Sequence, residues 1–366
     1  MDSDRLQQEM NQAVSRGVFP GAVLLVAQGE QVVTVAAGRF EYDARSRTVT
    51  PTTIYDLASL TKVLSTTLLT MIFLKQRRFD LQTPLKQLWP FYIPKDKKDI
   101  TLTHLLSHTS GLPAWRPYFK SLNQIPIKER RRRAAELILE EPLESEPGKQ
   151  FTYSDLDFIL LGLILEETGQ AHLDLLFHEF IARPLDLRRT GYRPLDRKNQ
   201  ISINEIAPTE DCPERGGVLK GVVHDKNAHA LSGTAGHAGL FGTAGEVWRI
   251  LSSLRTSFRN IPGVRLVSNQ TIKTFWQWTG DNPHVTGALG FDRPADIDSA
   301  AGRYFSPSSV GHLGFTGTSL WYDPERDFAV ILLSNRVHPS STNEAIKKFR
   351  PYIHDLAVET IAGKNL

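Results

Sequence analysis

Along the first 75 residues the hydrophobic pattern changes its period twice. Leu6, Met10 and Val14 recur at four-residue spacing among polar neighbours, which predicts an amphipathic helix over residues 3–16. Ala22–Ala27 and Val32–Ala37 are two β-rich runs joined by Gln28-Gly29-Glu30-Gln31. Glycine first in a two-residue turn suits a type II′ hairpin. From Val63 to Leu74 the chain is apolar apart from Ser65, Thr66, Thr67 and Thr70, without a period of two. That run predicts a buried helix beginning near Ser59. It is too short for a membrane span, which needs ~18–20 residues.

From about residue 76 to 222 helical spacing dominates, with prolines such as Pro84, Pro113, Pro126 and Pro147 between segments. Glycines and strand-like runs return after about residue 225. Ser319–Tyr322 and Phe328–Leu333 read as strands, and Ser341-Thr342-Asn343-Glu344 has the spacing of a capping box opening a last helix to about residue 361. Strands near both ends with helices between them predict an α/β (α+β) fold. Residues 1–75 and 225–366 are expected to form a sheet domain, and residues 76–224 a mostly helical one, with the active site in the cleft between them.

Composition narrows this only a little. The chain has 366 residues, 40% apolar and 23% charged, with a formal charge of +3, so neither disorder nor charge-driven nucleic-acid binding is expected. The basic run Lys128-Glu129-Arg130-Arg131-Arg132-Arg133 reads as the solvated start of a helix continued by Ala134, Leu137 and Ile138. The single cysteine, Cys212, excludes an intrachain disulfide, and its neighbours Asp211 and Glu214 disfavour a thiolate. His104 and His108 lack the glutamate of a His-Glu-x-x-His site, and His224, Asp225, His229 and His237 read as a loop held by hydrogen bonds. No metal or cofactor is therefore expected. The N-terminus has neither a basic n-region nor an apolar h-region, so the chain as written reads as cytoplasmic, periplasmic only with a leader added. The expected partner is a small-molecule or peptide substrate; the oligomeric state is not encoded in any pattern here.

Three elements carry chemistry. Ser59 and Lys62 stand three apart, so on a helix they share a face. A serine hydroxyl attacks only when a neighbour takes its proton, and a lysine can do so only when neutral, a state that burial favours. Tyr153-Ser154-Asp155 follows the Pro147-Gly148 turn; a phenol near an ammonium has a lowered pKa and can relay protons. Gly311-His312-Leu313-Gly314-Phe315-Thr316-Gly317-Thr318 has the small residues of a strand edge that approaches a ligand closely, with backbone N–H groups free to stabilise an oxyanion beside that of Ser59. Singly, each also fits a plainer reading: an exposed Ser–Lys pair, a half-buried tyrosine, a glycine-rich turn. No Gly-x-Ser-x-Gly elbow is present, which counts against an α/β-hydrolase lipase.

Together the three elements resemble the serine β-lactamase and penicillin-binding protein family, in the class C β-lactamase-like branch that includes D-Ala-D-Ala carboxypeptidases, D-aminopeptidases and esterases. Further segments in family order carry the resemblance: Ile100–Pro113, Pro147-Gly148 to Phe151, Arg183–Leu187, Gly236–Phe241 and Asp323-Pro324-Glu325. The resemblance implies a β-lactamase/transpeptidase-like fold and an acyl-enzyme hydrolase acting on an amide or ester: a muropeptide, a small ester or a β-lactam. It implies Ser59 as nucleophile, Lys62 as its base and Tyr153 as partner in proton transfer. The N–H groups of Ser59 and Phe315 would form the oxyanion hole, with Asp155, His312 and Gly314 along the substrate. Two positions depart from the family pattern. Asp155 stands for the usual asparagine, and ionised it can only accept hydrogen bonds. His312 stands for a permanent cation, so carboxylate recognition would weaken as pH rises. The alternative function is a penicillin-binding sensor that acylates without turnover.

Overall fold

The computed structural model describes residues 3–197, 201–280 and 287–361. Its strands among those residues are β1 (Gly21–Gln28), β2 (Gln31–Gly38), β3 (Tyr55–Asp56), β4 (Gly191–Tyr192), β5 (Asp211–Cys212), β6 (Gly217–Val218), β7 (Leu240–Gly242), β8 (Val310–Leu313), β9 (Ser319–Asp323) and β10 (Phe328–Ser334). The main sheet has the order β2-β1-β10-β9-β8 and is antiparallel throughout. Strands from the two ends of the chain thus lie side by side, with Leu24 opposite Leu332 and Val26 opposite Val330. In the β1–β2 turn Gly29 has φ +58° and Glu30 stays out of the positive region, as a type II′ turn requires.

The sheet is covered on both faces, which explains why β1 is apolar at nearly every position rather than at alternate ones. Leu24, Val26, Val330 and Leu332 point to one side, where Leu6 and Met10 of the helix Ser3–Ser15 and Phe349 and Ile353 of the helix Ile346–Ile361 close over them. Val23, Leu25, Ile331 and Leu333 point to the other and join a larger apolar cluster that runs into the helices of the middle of the chain. A slip of one residue in β1 would exchange these two sets, so the register is strongly fixed.

A small sheet, ordered β3-β7-β4, leads the chain into the helix after Ser59. That helix begins as a π-helical segment, Lys62–Thr67, and continues as α-helix through Leu68–Lys75; Lys62 to Phe73 are buried. Three of the four hydroxyls in this apolar run, those of Ser65, Thr66 and Thr70, find partners inside the protein. Thr66 Oγ1 donates to Gly236 O at 2.6 Å, Thr70 Oγ1 to Thr66 O at 2.9 Å, and the Tyr192 hydroxyl to Ser65 Oγ at 3.0 Å. The basic run lies in the helix Ile127–Glu140 and is largely engaged internally: Arg131 pairs with Glu166 and Arg132 with Glu136 at 2.9 Å, and Arg133 with Glu140 at the same distance. Among the described residues no helix is long and apolar enough to cross a membrane.

One boundary differs from expectation. The last helix starts at Ile346, and the anticipated capping box does not form. Ser341 gives both its hydroxyl and its N–H to Glu210 Oε1, at 2.5 and 3.1 Å, while Asn343 Oδ1 takes the Ala345 N–H at 3.1 Å. A tertiary carboxylate outcompetes the local cap for the serine.

Candidate active site

Ser59 sits in a turn immediately before the buried helix, and the turn is held at every peptide. Ala58 has φ +46°, a left-handed conformation that costs a residue with a Cβ. It is retained because Ala58 N–H donates to Asp56 Oδ1 at 2.9 Å, Leu57 N–H to Leu240 O at 2.9 Å, and the Leu240 N–H to Thr61 Oγ1 at 3.1 Å. Asp56 is buried, and its second oxygen accepts the His224 N–H at 2.7 Å. From the other side, Thr316 Oγ1 donates to Asp56 O at 2.7 Å and Thr318 Oγ1 to Leu57 O at 3.2 Å. The glycine-rich segment after β8 is thereby sewn to the serine turn. Gly314 allows this approach: a Cβ there would lie 1.9 Å from Thr318 Oγ1 and 2.8 Å from Leu57 O. Among the described residues the backbone N–H groups of Ser59 and Phe315 donate to no acceptor.

Lys62 Nζ lies 3.0 Å from Ser59 Oγ and 2.6 Å from Asp155 Oδ1. It is fully buried, 4.9 Å from the ring centroid of Tyr153 and 5.6 Å from that of Phe158. Burial alone would lower the pKa of this amine, but the Asp155 carboxylate, helped by the Tyr153 hydroxyl, outweighs it and holds Lys62 above its ordinary range. The expectation of a neutral Lys62 is thus corrected: in the resting protein it is an ammonium in a buried ion pair. The Tyr153 hydroxyl interacts with both Ser59 and Lys62. Its pKa is raised, because burial dominates over the nearby ammonium, which reverses the lowering expected from the sequence.

Tyr153 and Asp155 flank Ser154, the N-cap of the helix Asp155–Gly169. The segment is clamped by residues that sequence reasoning left unassigned. His108 Nδ1 accepts the Ser154 N–H at 3.1 Å, His108 O accepts the Thr152 N–H at 2.9 Å, and Ala114 O accepts the Asp155 N–H at 2.8 Å. The His108 ring lies 4.7 Å from that of Tyr153 and 5.1 Å from that of Phe158. Burial holds His108 well below its ordinary pKa, and burial holds the neighbouring Asp157 carboxyl well above. His108 is therefore neutral at neutral pH, and its 3.4 Å approach to Asp157 is not an ion pair. His104 Nδ1 likewise accepts a backbone N–H, that of Thr101 at 3.1 Å, so the His104/His108 spacing serves the backbone.

His312, on β8, is buried and 5.8 Å from the Tyr153 ring. Its Nδ1–H donates to Leu313 O at 2.8 Å. Burial lowers its pKa despite an opposing effect from Asp292, and the Lys62 charge lowers it further, so the imidazole is neutral at neutral pH. The titratable cation expected at this place is absent over the pH range where the expectation required it.

These groups converge on one cavity of about 930 Å³, lined by Ser59, Tyr153, Asp155, His312, Gly314 and Phe315, with the fully buried Lys62 hydrogen-bonded to Ser59 and Asp155. Sequence reasoning did not place Trp115, Arg336 or Arg350 on its walls, and it preferred a hydrogen-bonded loop to a cleft-lining place for Asp225 and His237, which also line it. His237 Nε2 lies 2.8 Å from Asp225 Oδ1, which also accepts the Ala228 N–H at 2.7 Å. The Asp225 carboxyl is lowered to about 2, as the His237 charge and these hydrogen bonds overcome burial. Asp155, Asp225 and His237 each bring a ligand atom within 4.8 Å of the others. An ion there would have to share Asp155 with the Lys62 ammonium. His224 stacks on Phe315 at 5.4 Å and reaches Glu210 at 3.0 Å, consistent with the hydrogen-bonded loop expected there.

An antiparallel sheet between terminal helices, with a buried Ser-x-x-Lys helix and a facing tyrosine, is the frame of the penicillin-recognising serine hydrolases. Residues 5–350 match the Beta-lactamase family, and the chain belongs to it. It is 30% identical over 364 residues to a putative D-alanyl-D-alanine carboxypeptidase of Escherichia coli (strain K12), covering 92% of this chain and 83% of that one. It is 28% identical over 368 residues to an N-acetylmuramyl-L-alanine amidase of Bacillus subtilis (strain 168), covering 92% and 82%. In structure it is similar to EstCE1, a hydrolase with promiscuous acyltransferase activity, with a TM-score of 0.73, 24% identity and coverage of 96% and 98%. It is also similar to the penicillin-binding protein homologue from Pyrococcus abyssi, with a TM-score of 0.70, 18% identity and coverage of 100% and 78%. The protein is a serine hydrolase of this fold.

Proposed function

We propose that Ser59 is acylated by a peptide-type amide of the kind found in cell-wall fragments, with small esters as secondary substrates. The observation that carries the reading is the chain Ser59 Oγ–Lys62 Nζ–Asp155 Oδ1, at 3.0 and 2.6 Å, beneath a cavity large enough for a peptide fragment. Relatives named as a carboxypeptidase and an amidase support the amide over the ester.

In the proposed step Ser59 Oγ bonds to the carbonyl carbon as its proton passes to Lys62. Lys62 can accept it only by releasing one of its own, and the 2.6 Å contact gives Asp155 as the receiver. The oxyanion is met by the N–H groups of Ser59 and Phe315, which are otherwise unused. The C–N bond then breaks as Tyr153, still protonated at neutral pH, donates to the leaving amine and is reprotonated through Lys62. Water attacks the ester by the same route in reverse and releases the acid.

The test is mass spectrometry after incubation with a fluorophosphonate, followed by turnover assays with a muramoyl-L-alanine amide, a D-Ala-D-Ala peptide, a p-nitrophenyl ester and a chromogenic cephalosporin. An adduct on Ser59, lost in Ser59→Ala, and faster turnover of one of the two amides are expected. Labelling of Ser59→Ala equal to that of wild type would remove the nucleophile. A stable adduct with every substrate and no product would make the protein a sensor.

A further inference from the structure

Arg350 lines the cavity from the last helix, is buried, and has no carboxylate within ion-pair distance among the described residues. Its Nε is buried without a hydrogen-bond partner. A buried charge left uncompensated is costly, so the contact it does make matters. One Nη donates to Gly314 O at 3.0 Å. The same carbonyl accepts the Gly317 N–H at 3.1 Å, so both of its lone pairs are used. Burial first, and then the neighbouring Arg336, pull the Arg350 pKa down to about 10, which leaves it charged at neutral pH.

The Gly314 carbonyl belongs to the peptide unit whose other end is the Phe315 N–H. In a trans peptide the two point in opposite directions in one plane. A guanidinium on the oxygen therefore does two things to the N–H. It fixes the direction, and it draws electron density toward oxygen, which makes the N–H a stronger donor. Arg336 acts one peptide later: its Nε donates to Phe315 O at 2.9 Å and its guanidinium lies 4.6 Å over the Phe315 ring. Its polarisation falls on the Thr316 N–H instead.

We propose that Arg350 is a positioning residue for the oxyanion hole, orienting and polarising the Phe315 N–H through the Gly314–Phe315 peptide. The inference rests on the reading of that N–H as an oxyanion donor. It gives an unpaired charge on the cavity wall a part in the chemical step through the backbone. Gly314 is required for the same reason, since a side chain there would push the peptide off Leu57 O and Thr318.

Infrared spectroscopy of the acyl-enzyme, made with a carbonyl-labelled ester, reads the hole directly, because stronger donors lower the ester carbonyl frequency. In wild type the band should lie below that of the same ester in water. Arg350→Lys, Arg350→Gln and Arg350→Met should raise it in that order. The acylation rate should fall about tenfold or more in the two neutral variants, against about 10²–10³ for complete loss of one donor. KM should change little, and Arg350→Lys should recover part of the rate. A wild-type band no lower than in water would refute Phe315 N–H as a donor, and with it the basis of the proposal. A lowered wild-type band that stays put in whichever Arg350 variants fold would leave the hole intact and overturn the role of Arg350 alone.

Discussion

Replacing Asp155 by asparagine tests the charge state of the site. The pair lies at 2.6 Å with Lys62 fully buried and Asp155 about one-fifth exposed. At an effective dielectric of about 20, two unit charges at that separation attract by about 6 kcal/mol before desolvation is counted. Removing one partner of a buried pair costs about 3–5 kcal/mol, because the other charge is stranded. Asparagine keeps an acceptor for Lys62, so the lower end applies. With about 2.1 cal/mol/K per residue over 366 residues, ~3 kcal/mol lowers Tm by about 4 °C. The loss should depend on pH in a definite direction. In wild type the folded pKa of Lys62 is raised, so its contribution is complete below the unfolded value of 10.5 and is lost only as pH rises through the folded one. In Asp155→Asn only the weaker Tyr153 contact still opposes burial, the folded pKa falls below the unfolded one, and destabilisation grows as pH drops from about 10. Calorimetry at pH 6.5 and 9.5 should show the larger Tm deficit at pH 6.5. In parallel, kcat/KM for an ester should acquire an ionisation below the alkaline range, as Lys62 becomes a base that titrates. An equal Tm deficit at both pH values, with an unchanged pH–rate profile, would refute the ion pair. The same variant should acylate faster with a β-lactam, since a negative charge facing its carboxylate is removed.

Lys62→Ala and Tyr153→Phe should each lower turnover by at least ~10²-fold, as loss of a proton-transfer group does; normal rates in steady-state assays of either would displace it from the mechanism. Asp157→Asn should raise Tm at pH 8 by more than at pH 5, because its raised folded pKa means that the protein is stabilised when this carboxyl is neutral and loses that stability as pH climbs past the unfolded value; scanning calorimetry reads this, and a lower Tm at both pH values would contradict it. With His312 already neutral, kcat/KM should show no decline between pH 6.5 and 8.5 that His312→Gln removes; a decline abolished by that substitution would restore the cationic reading.

What was legible in the sequence was periodic or local. The β1–β2 hairpin, the buried helix after Ser59 and the i, i+3 placement of Lys62 follow from spacing within a few residues, and the structure has them. The charge of Lys62 was not legible, because the residue that decides it stands 93 positions along the chain and burial and pairing push in opposite directions. The same holds for His312, whose protonation is set first by burial and then by Asp292 and Lys62 acting in opposite directions. Arg350 had no local signal at all: it follows Lys347 and Lys348 and reads as one more solvated cation, until the helix is laid against the Gly314 loop. The capping box failed for the converse reason, a local motif overruled by Glu210 from 131 residues away.

The two departures from the family pattern act on one quantity, the charge that a substrate meets at the nucleophile. Lys62 and Asp155 together are neutral, and His312 adds nothing at neutral pH. The uncompensated charges nearby, Arg336 and Arg350, direct the hydrogen bonds they make at the carbonyls of Gly314, Phe315, Ser341 and Asn343, and Arg350 Nε is left without a partner. Next to Ser59 the paired Lys62 and Asp155 therefore offer an anionic group little attraction, and Asp155 meets it with oxygens that only accept hydrogen bonds. A carboxylate next to the scissile bond, as in a β-lactam, is the feature such a site selects against. An amide whose charges lie farther along the chain escapes that penalty, and the ratio of the two acylation rates should narrow in Asp155→Asn even where both rise.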